Sequence, residues 1–249
     1  MRFFILIFAI LFTSSAARAD EAAPPATQPA RDGIIQLPHV QINLKTRQIR
    51  VDCETLNPHM PLEFFCVLRG GQEHESVLRT DARPSSIHFG LLALGEKPGE
   101  PAHLDQTSQM WYPPTGPPVK ISCQYVLNGK TITVTANRMM RSDKTKAEMP
   151  AATWVFDGSR LLPDGRYAAD LTGYVVSIVN FDLTMIDVPK LASNANETLE
   201  WEYNPDLVPP TGSPVTMIIE PAPEPPATQP AKGIPATQFN PGPGHNGGN

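Results

Sequence analysis

The sequence predicts an α+β domain, mainly antiparallel β-sheet with one principal helix packed on it, flanked by disordered proline-rich tails. Strand-like alternation of apolar and polar residues dominates the middle of the chain, and one stretch has helical periodicity. The 28 prolines among 249 residues are unevenly placed, because eight lie in the last 29 residues and three lie between residues 20 and 32. Proline lacks a backbone N–H, so these two stretches are poor candidates for helix or sheet interior.

The N-terminus has the pattern of a secretory signal peptide. Arg2 gives a positive start, residues 3–12 form an apolar run, and Ala17-Arg18-Ala19 is a small-x-small cleavage pattern. An uncleaved membrane anchor is the alternative, although the run is too short to span a bilayer comfortably. We therefore predict a secreted or periplasmic protein without a transmembrane segment after signal cleavage. The predicted parts are a signal peptide at 1–19, a Pro/Ala-rich linker at 20–32, a folded domain at 33–220 and a disordered Pro/Gly-rich tail at 221–249.

The charge balance argues against a nucleic-acid partner. Without residues 1–19 the chain carries 18 Lys and Arg against 25 Asp and Glu, a formal net charge of −7. No cluster of basic residues interrupts this acidic character, and polyanion binding depends on such clusters. The sequence leaves a protein or a small molecule as the expected partner.

Three cysteines fall on the apolar sides of predicted strands. Cys53, Cys66 and Cys123 include no Cys-x-x-Cys pair, so structural zinc and iron–sulfur sites lack ligands. Three buried thiols are the simplest interpretation. A disulfide between Cys53 and Cys66 is the alternative, because export permits it.

The predicted strands begin with two hairpins. Residues 40–44 and 49–53 alternate on either side of a turn at 45–47, and residues 119–127 and 131–137 alternate on either side of Asn128-Gly129, a turn pair that favours positive φ. Further short strands are predicted at 62–68, 153–156, 174–179, 199–203 and 215–220.

The sequence contains two short repeats. The hexapeptide Pro-Ala-Thr-Gln-Pro-Ala occurs at 25–30 and 226–231, with an echo at 235–238, and we predict extended spacers there. A second repeat, Pro-Pro-Thr-Gly-x-Pro-Val, occurs at 113–119 and 209–215. Each copy precedes a predicted strand, so the same turn-to-strand device is expected twice.

One helix is predicted from Pro84. Proline suits the first helical turn, and Ile87, Leu91 and Leu94 form an apolar stripe at helical spacing. Gly95 is placed to end the helix.

The densest polar stretch lies just before this helix. Extended backbone would point Glu73 and Glu75 to one side and His74 and Ser76 to the other, so the two carboxylates could share a proton or a divalent cation. A serine nucleophile is disfavoured, because side chains at i and i+2 of a strand stand about 7 Å apart. The candidate ligand-binding residues are Gly70, Gly71, Glu73, His74, Glu75, Ser76, Asp81 and His88.

His88, on the first helical turn, could complete a metal site with Glu73 and Glu75. No His-Glu-x-x-His pattern supports this set. The alternative is that Glu73 or Glu75 caps backbone amides while His88 makes a hydrogen bond in a partly buried position. We expect no metal and no other cofactor.

The chain resembles the YdjY-type domain family of exported bacterial proteins. The resemblance rests on the run at 62–76, on Thr80-Asp-Ala-Arg-Pro-Ser85 and on the segment from Trp154 to Ser159. It extends through Pro210-Thr-Gly-Ser-Pro-Val215 and covers nearly the whole predicted domain. It implies an architecture and an exported location, and no established catalytic residue.

Two functions follow from these observations. The first is an exported, non-catalytic module that binds a ligand or a protein, with the tails as spacers. The second is an extracytoplasmic metal-dependent hydrolase that uses Glu73, His74, Glu75 and His88. The hydrolase requires these side chains to converge within about 4 Å of one point in a cleft.

Overall fold

A computed structural model describes residues 32–151, 153–193, 199–223 and 233–239. Within them the chain forms two helices, α1 (Pro84–Ala93) and α2 (Ala168–Thr172), and 3₁₀ turns at Glu73–Glu75, Ala136–Met139 and Ala236–Gln238. The strands are β1 (Ile34–Leu37), β2 (Val40–Asn43), β3 (Gln48–Thr55), β4 (Phe64–Leu68), β5 (Ser76–Thr80), β6 (His103–Asp105), β7 (Met110–Tyr112), β8 (Pro118–Leu127), β9 (Lys130–Thr135), β10 (Met140–Ser142), β11 (Trp154–Phe156), β12 (Tyr174–Ser177), β13 (Ile186–Asp187), β14 (Trp201–Tyr203), β15 (Pro214–Pro221) and β16 (Ile234–Pro235).

Eight strands close into a β-barrel. Their order is β3-β15-β8-β11-β13-β12-β4-β5, and β5 pairs back to β3. One edge of β3 is shared, because its first residues pair with β2 and its last residues pair with β5. The strands β1 and β2 extend the sheet beyond β3, and β9 extends it beyond β8. Two small sheets, β10-β14 and β16-β7-β6, lie outside this barrel sheet.

The predicted α+β fold with a principal helix is wrong. The protein is mostly β, with a closed barrel and two short helices in the described residues. Two barrel strands, β5 and β13, were not among the predicted strands, and β5 is the one whose pairing with β3 closes the barrel. Val77 and Leu78 are both buried, so β5 lacks the apolar–polar alternation that identifies strands with one wet face. Without β5 the predicted sheet keeps two free edges and cannot close.

The two predicted hairpins are confirmed. β2 and β3 pair antiparallel around the turn at 45–47, where Arg47 has a φ of 53°. β8 and β9 pair antiparallel, and Asn128 and Gly129 between them have φ values of 51° and 74°. Positive φ at both central residues is the type I′ geometry that matches strand twist.

Both copies of the Pro-Pro-Thr-Gly repeat lead into strands, as predicted. The first copy enters β8 and the second enters β15. These two strands are neighbours in the barrel and pair antiparallel over seven residue pairs, from Val215 opposite Tyr125 to Pro221 opposite Val119. The repeat therefore starts two adjacent barrel strands that run in opposite directions.

Helix α1 packs on the face of the β2–β3 hairpin that carries Ile42 and Ile49. Pro84 occupies its first turn, Ile87 and Leu91 are fully buried, and Gly95 follows its end with a φ of 89°. A Cβ on Gly90 would lie 2.8 Å from Cδ1 of Ile49, so glycine is needed for this close packing. The opposite face of the helix exposes Phe89 and Leu92. The helix thus has one face on the barrel and an apolar face toward solvent.

The three cysteines are free and buried. Cys53 lies on β3, Cys66 on β4 and Cys123 on β8, all within the main hydrophobic cluster of the barrel. Burial, followed by the neighbouring Cys53 thiol, raises the pKa of Cys66. These thiols therefore act as small apolar core residues, as the simplest interpretation of the sequence predicted.

None of the helices in the described part of the chain has the length and apolar character needed to cross a bilayer. The predicted signal peptide, nearly all of the linker and most of the predicted tail lie outside the described residues. Residues 233–239, which belong to the predicted tail, form β16 and a 3₁₀ turn.

Candidate functional site

Glu73, the first carboxylate of the predicted site, is held by the protein itself. Its Oε1 accepts a hydrogen bond of 2.8 Å from the backbone N–H of Gly70, and its Oε2 accepts one of 2.8 Å from Arg79. Partial burial alone would raise the pKa of Glu73, but the Gly70 N–H and the Arg79 guanidinium outweigh it and lower the pKa. Both oxygens are therefore engaged in closing the turn.

An ion-pair network extends from Glu73 across the surface. Arg79 donates to Glu54 at 2.8 Å, Arg69 lies 3.2 Å from Glu54, and Arg69 donates to Asp81 at 2.7 Å. Hydrogen bonds from Arg79 and Arg69 lower the pKa of Glu54, and the Arg69 hydrogen bond lowers that of Asp81. The five charged groups satisfy one another, so we call them the loop network: Glu54, Arg69, Glu73, Arg79 and Asp81.

The other predicted residues of this loop have local partners. His74 is exposed and lies 3.4 Å from Glu75, measured from Nε2 to Oε1. Ser76 is buried, and its hydroxyl donates to the backbone carbonyl of Gln72 at 2.5 Å. Gly71 donates its N–H to the carbonyl of Leu68 at 2.9 Å. These contacts shape the turn that leads from β4 into β5.

His88 belongs to a different cluster. Its described partners are Tyr167, by a hydrogen bond, and the ring of Phe156, at 4.9 Å between centroids. The loop at 70–76 contributes none of these partners. Among residues 32–151, 153–193, 199–223 and 233–239, no group of three or more His, Cys, Asp or Glu side chains is placed to hold a metal ion.

A cavity of about 490 Å³ opens beside His88, between α1 and the segment that follows β11. Its walls are mainly apolar and include the exposed side chains of Phe89, Leu92 and Leu161. We call it the α1 pocket. Its lining includes Ser85, His88, Phe89, Leu92, Pro98, Asp157, Gly158, Leu161 and Tyr167.

Tyr167 links His88 to the backbone beside this pocket. The Tyr167 hydroxyl lies 3.0 Å from the carbonyl oxygen of Gly158, to which it can donate, and 2.9 Å from Nδ1 of His88. When the single hydroxyl proton is on the Gly158 carbonyl, Nδ1–H of His88 donates to Tyr167 and Nε2 carries the lone pair. Burial lowers the pKa of His88, which favours the neutral imidazole. A neutral imidazole has one donor and one acceptor nitrogen, so His88 adds a polar group to the lining of the pocket.

Asp157 is the second polar feature of the α1 pocket. It follows β11 directly and is fully buried, and neither carboxylate oxygen has a hydrogen-bond partner within the described residues. Asp187 on β13 is also fully buried. Since Val155 pairs with Asp187, Asp157 and Asp187 lie on the same face of the two strands as diagonal neighbours. Two acids thus face each other without the cations that satisfy the loop network.

Burial shifts this acid pair toward keeping a proton. Burial, and then the charge of Asp187, raise the pKa of Asp157 well above its usual value, although the nearby backbone N–H groups of Ser159 and Gly158, which do not reach hydrogen-bond geometry, oppose the shift. Burial raises the pKa of Asp187 to about 8. Only Oδ1 of Asp187 has a partner, the N–H of Val188 at 2.7 Å. Two neighbouring carboxyl groups in this setting share a proton rather than both ionise.

A comparison with family models agrees with the family resemblance seen in the sequence. A family model described as the YdjY domain matches residues 40–220. The chain belongs to the YdjY domain family. No curated protein and no solved structure matches it. The matched region contains the loop network, the α1 pocket and every strand from β2 to β15 except the last residue of β15.

Glycines hold the backbone of the YdjY domain beneath the pocket. Gly158 has a φ of 88°, and a Cβ there would lie 2.3 Å from Cβ of Pro98. Gly99 and Gly116 lie even closer to neighbouring backbone. A Cβ on Gly116, for example, would lie 2.1 Å from the carbonyl oxygen of Phe156. Three chain segments therefore meet at the pocket, and side chains larger than hydrogen would separate them.

Ser85 and Asp170 close one end of the pocket without forming a catalytic triad. Asp170 accepts from the backbone N–H of Ser85 at 2.8 Å and from its hydroxyl at 2.6 Å. The carboxylate thus caps α1 from α2. A triad needs the imidazole between serine and carboxylate, whereas His88 is bonded to Tyr167. Ser85 therefore has a carboxylate beside it and no imidazole base.

Sequence analysis found His88 but missed Asp157 and Tyr167. One local signal pointed to Asp157, because an acid directly follows the apolar strand Trp-Val-Phe and precedes a glycine. Tyr167 had no comparable signal, since its hydrogen bond to His88 spans 79 positions in sequence. The pairing of Asp157 with Asp187 likewise depends on the register of β11 against β13.

Proposed function

We propose that this YdjY domain is an exported, non-catalytic module that binds a small, neutral, mainly apolar ligand in the α1 pocket. The observation that carries the proposal is the pocket itself, a cavity of about 490 Å³ whose walls are mainly apolar and whose few polar lining residues include His88. Small-molecule sites have this character, with few polar groups among many apolar ones.

The charge state of the pocket supports a neutral ligand. His88 is favoured as the neutral imidazole, and burial raises the pKa of Asp157 and of Asp187, which favours a proton on the pair. Arg160, at the rim, lies 2.8 Å from Asp182, so its charge is already paired. A charged ligand would find no free counter-ion among these groups and would lose its hydration.

The geometry favours binding over hydrolysis. The hydrolase hypothesis needs Glu73, His74, Glu75 and His88 at one point, but Glu73 binds Gly70 and Arg79 while His88 binds Tyr167. Asp170 holds Ser85 at the start of α1, and no imidazole lies between them as a triad requires. Tyr167 is not an ionised nucleophile, because burial raises its pKa.

The acceptor nitrogen of His88 defines the polar requirement of the ligand. A ligand that donates one hydrogen bond to Nε2 satisfies this nitrogen, whereas an apolar ligand of the same size leaves it without a partner inside the pocket. A hydrogen bond of this kind is worth about 1 kcal/mol, or roughly 5-fold in affinity. We therefore expect a preference for apolar molecules that carry one donor.

Indole and 1-methylindole form a matched pair of probes for this preference. Isothermal titration of the full chain should give tighter binding of indole by roughly 5-fold, because 1-methylindole has no N–H to donate. In a His88→Phe variant the two probes should bind equally, since the acceptor is gone and the ring volume is nearly kept. Equal binding of both probes to the unmodified chain, or binding of neither at about 1 mM, would contradict the proposal.

Export is a separate part of the proposal and has its own test. The positive N-terminus, the apolar run at 3–12 and the cleavage pattern at 17–19 support secretion. A tagged chain expressed in a bacterial host should be recovered outside the cytoplasm with Asp20 as its first residue. A chain that stays in the cytoplasm, or keeps residues 1–19, would overturn export and leave the binding proposal untouched.

A further inference from the structure

A short C-terminal segment is docked on β7, away from the barrel. Residues 233–239, which we call the tail segment, place Ile234 opposite Trp111 and Pro235 opposite Met110 in an antiparallel pair. The N–H of Ala236 donates to the carbonyl of Gln109 at 2.9 Å. Since β6 pairs with the other edge of β7, the tail segment adds a third strand to a two-stranded hairpin.

Side-chain contacts give this docking a specific pattern. The rings of Phe239 and Trp111 lie 5.1 Å apart at an angle of 56°, and only 7% of Phe239 and 3% of Trp111 are exposed. Neither ring belongs to the two hydrophobic clusters formed by buried residues in the described part of the chain. Trp111 is therefore buried with a contribution from the tail segment and apart from the barrel core.

The backbone of the tail segment also fits closely. A Cβ on Gly233 would lie 3.0 Å from the carbonyl oxygen of Trp111 and 3.0 Å from Cε1 of Tyr112, so glycine is favoured there. Pro235 has no N–H, so this residue cannot donate to a fourth strand beyond β16. The segment therefore combines strand pairing with three positions of defined residue type: glycine, proline and phenylalanine.

We propose that the β7 edge, centred on Trp111, is a peptide-binding site that recognises an extended peptide of the pattern Gly-Ile-Pro-Ala-Thr-Gln-Phe by strand addition. Main-chain hydrogen bonds supply affinity in such sites, and pockets for particular side chains supply specificity. Its resident occupant is the tail segment, which follows β15 after the stretch 222–232. The family match ends at residue 220, so this occupant lies outside the matched domain while β6 and β7 lie within it.

The tether explains why the chain occupies its own site. A short linker holds a segment at an effective concentration in the millimolar range, so even a weak peptide contact is populated within one chain. Weakening that contact in the full-length chain should open the site to a peptide added in trans. The exchange requires no change in the barrel, because the barrel clusters do not include Trp111 or Phe239.

The test uses the full-length chain with the substitution Phe239→Ala. We expect the indole N–H signal of Trp111 in a ¹H–¹⁵N spectrum to shift, because the Phe239 ring that packs 5.1 Å from the indole is removed. Thr237→Ala is the matched control, since Thr237 is exposed, and it should leave the signal unchanged.

The second step adds the free heptapeptide Gly-Ile-Pro-Ala-Thr-Gln-Phe to the Phe239→Ala chain. The peptide should return the Trp111 signal toward its original position, and the same peptide ending in Ala should bind at least ~10-fold more weakly. Three results would overturn the proposal. They are an unchanged Trp111 signal in Phe239→Ala, no response to the peptide up to about 1 mM, or equal titrations with the two peptides.

Discussion

The pKa values of carboxyl groups are shifted in opposite directions in the loop network and at the α1 pocket. In the loop network, Glu54, Glu73 and Asp81 accept hydrogen bonds from arginines, and the pKa of each is lowered. In the pocket, Asp157 and its neighbour Asp187 are buried beside each other, and the pKa of each is raised. The network contains more charged residues, but within the described residues both oxygens of Asp157 and Oδ2 of Asp187 are buried without a hydrogen-bond partner. The difference teaches that a dense polar stretch in sequence can be a self-satisfied structural feature.

The largest difference in stability between the two regions is expected at two glycines with positive φ, one in each region. Gly158 has a φ of 88°, and a Cβ added there would clash with Pro98. Gly70 has a φ of 84°, and a Cβ added there would meet nothing within 4 Å. Gly158→Ala should lower the free energy of unfolding by about 3 kcal/mol or more, because backbone strain and a steric clash add. Gly70→Ala should cost about 1 kcal/mol, from strain alone. Urea unfolding measures both, and equal losses would contradict the tight backbone crossing at the pocket.

The second comparison is the pH dependence of stability. The raised pKa values of Asp157 and Asp187 mean that the folded state keeps a proton that the unfolded chain releases. Stability from this proton is present below about pH 4 and is lost as the pH rises toward about 8, by up to about 1.4 kcal/mol per pH unit. Asp157→Asn removes one of the two titrating acids, so the variant should lose less stability over this range than the unmodified chain.

Glu73→Gln is the control for that pH series. The pKa of Glu73 is lowered, so its contribution is present above the ordinary value of 4.5 and is lost as the pH falls. Urea unfolding between about pH 5 and about pH 8 should therefore give curves for Glu73→Gln that run parallel to those of the unmodified chain. Parallel curves for Asp157→Asn as well would contradict a shared proton in the buried pair.

A smaller effect is expected at the centre of the loop network. Arg79 bridges Glu54 and Glu73, and about a quarter of its side chain is exposed. Arg79→Ala should lower the free energy of unfolding by about 1 kcal/mol, because partly exposed ion pairs are screened by water. The loss should shrink between about 0.05 M and about 1 M NaCl. A loss that does not depend on salt would indicate that packing of the arginine stem, rather than its charge, is what matters.

The smallest effect is expected at Glu75, one of the acids that the sequence analysis placed in a metal site. Its partner in the loop is His74, of which 62% of the side chain is exposed. Glu75→Gln should change the free energy of unfolding by less than about 0.5 kcal/mol. Elemental analysis of chain purified without chelator should give the same metal content for both forms. A drop in bound metal on substitution would restore the loop as a metal site.

Local features of the fold were predictable and the closure of the barrel was not. Asn128-Gly129 specifies a turn from two adjacent residues, and the stripe of Ile87, Leu91 and Leu94 specifies one helical face. Closure depends on the pairing of β3 with β5, and β5 is buried without alternation. β5 has only two adjacent apolar residues, Val77 and Leu78, which is too few for an alternating pattern or for a continuous apolar run, so the sequence pattern does not identify this strand.

The same limit applies to the site. His88 could be selected because its position at the start of a proline-initiated helix is a local property. Asp157 acquires its character from Asp187, thirty positions away, through the register of β11 and β13. Burial of two acids side by side is a property of the assembled barrel, and the local sequence around Asp157 does not contain it.

The most direct test of the account is a map of where a small apolar ligand binds. Indole titrated into ¹⁵N-labelled protein should shift the backbone amides of residues 85–92 and 157–161. Leu92→Glu should abolish these shifts, whereas Leu171→Glu, an exposed leucine outside the pocket lining, and Glu73→Gln should leave them in place. Shifts centred on residues 70–76 that survive Leu92→Glu and disappear in Glu73→Gln would contradict the account.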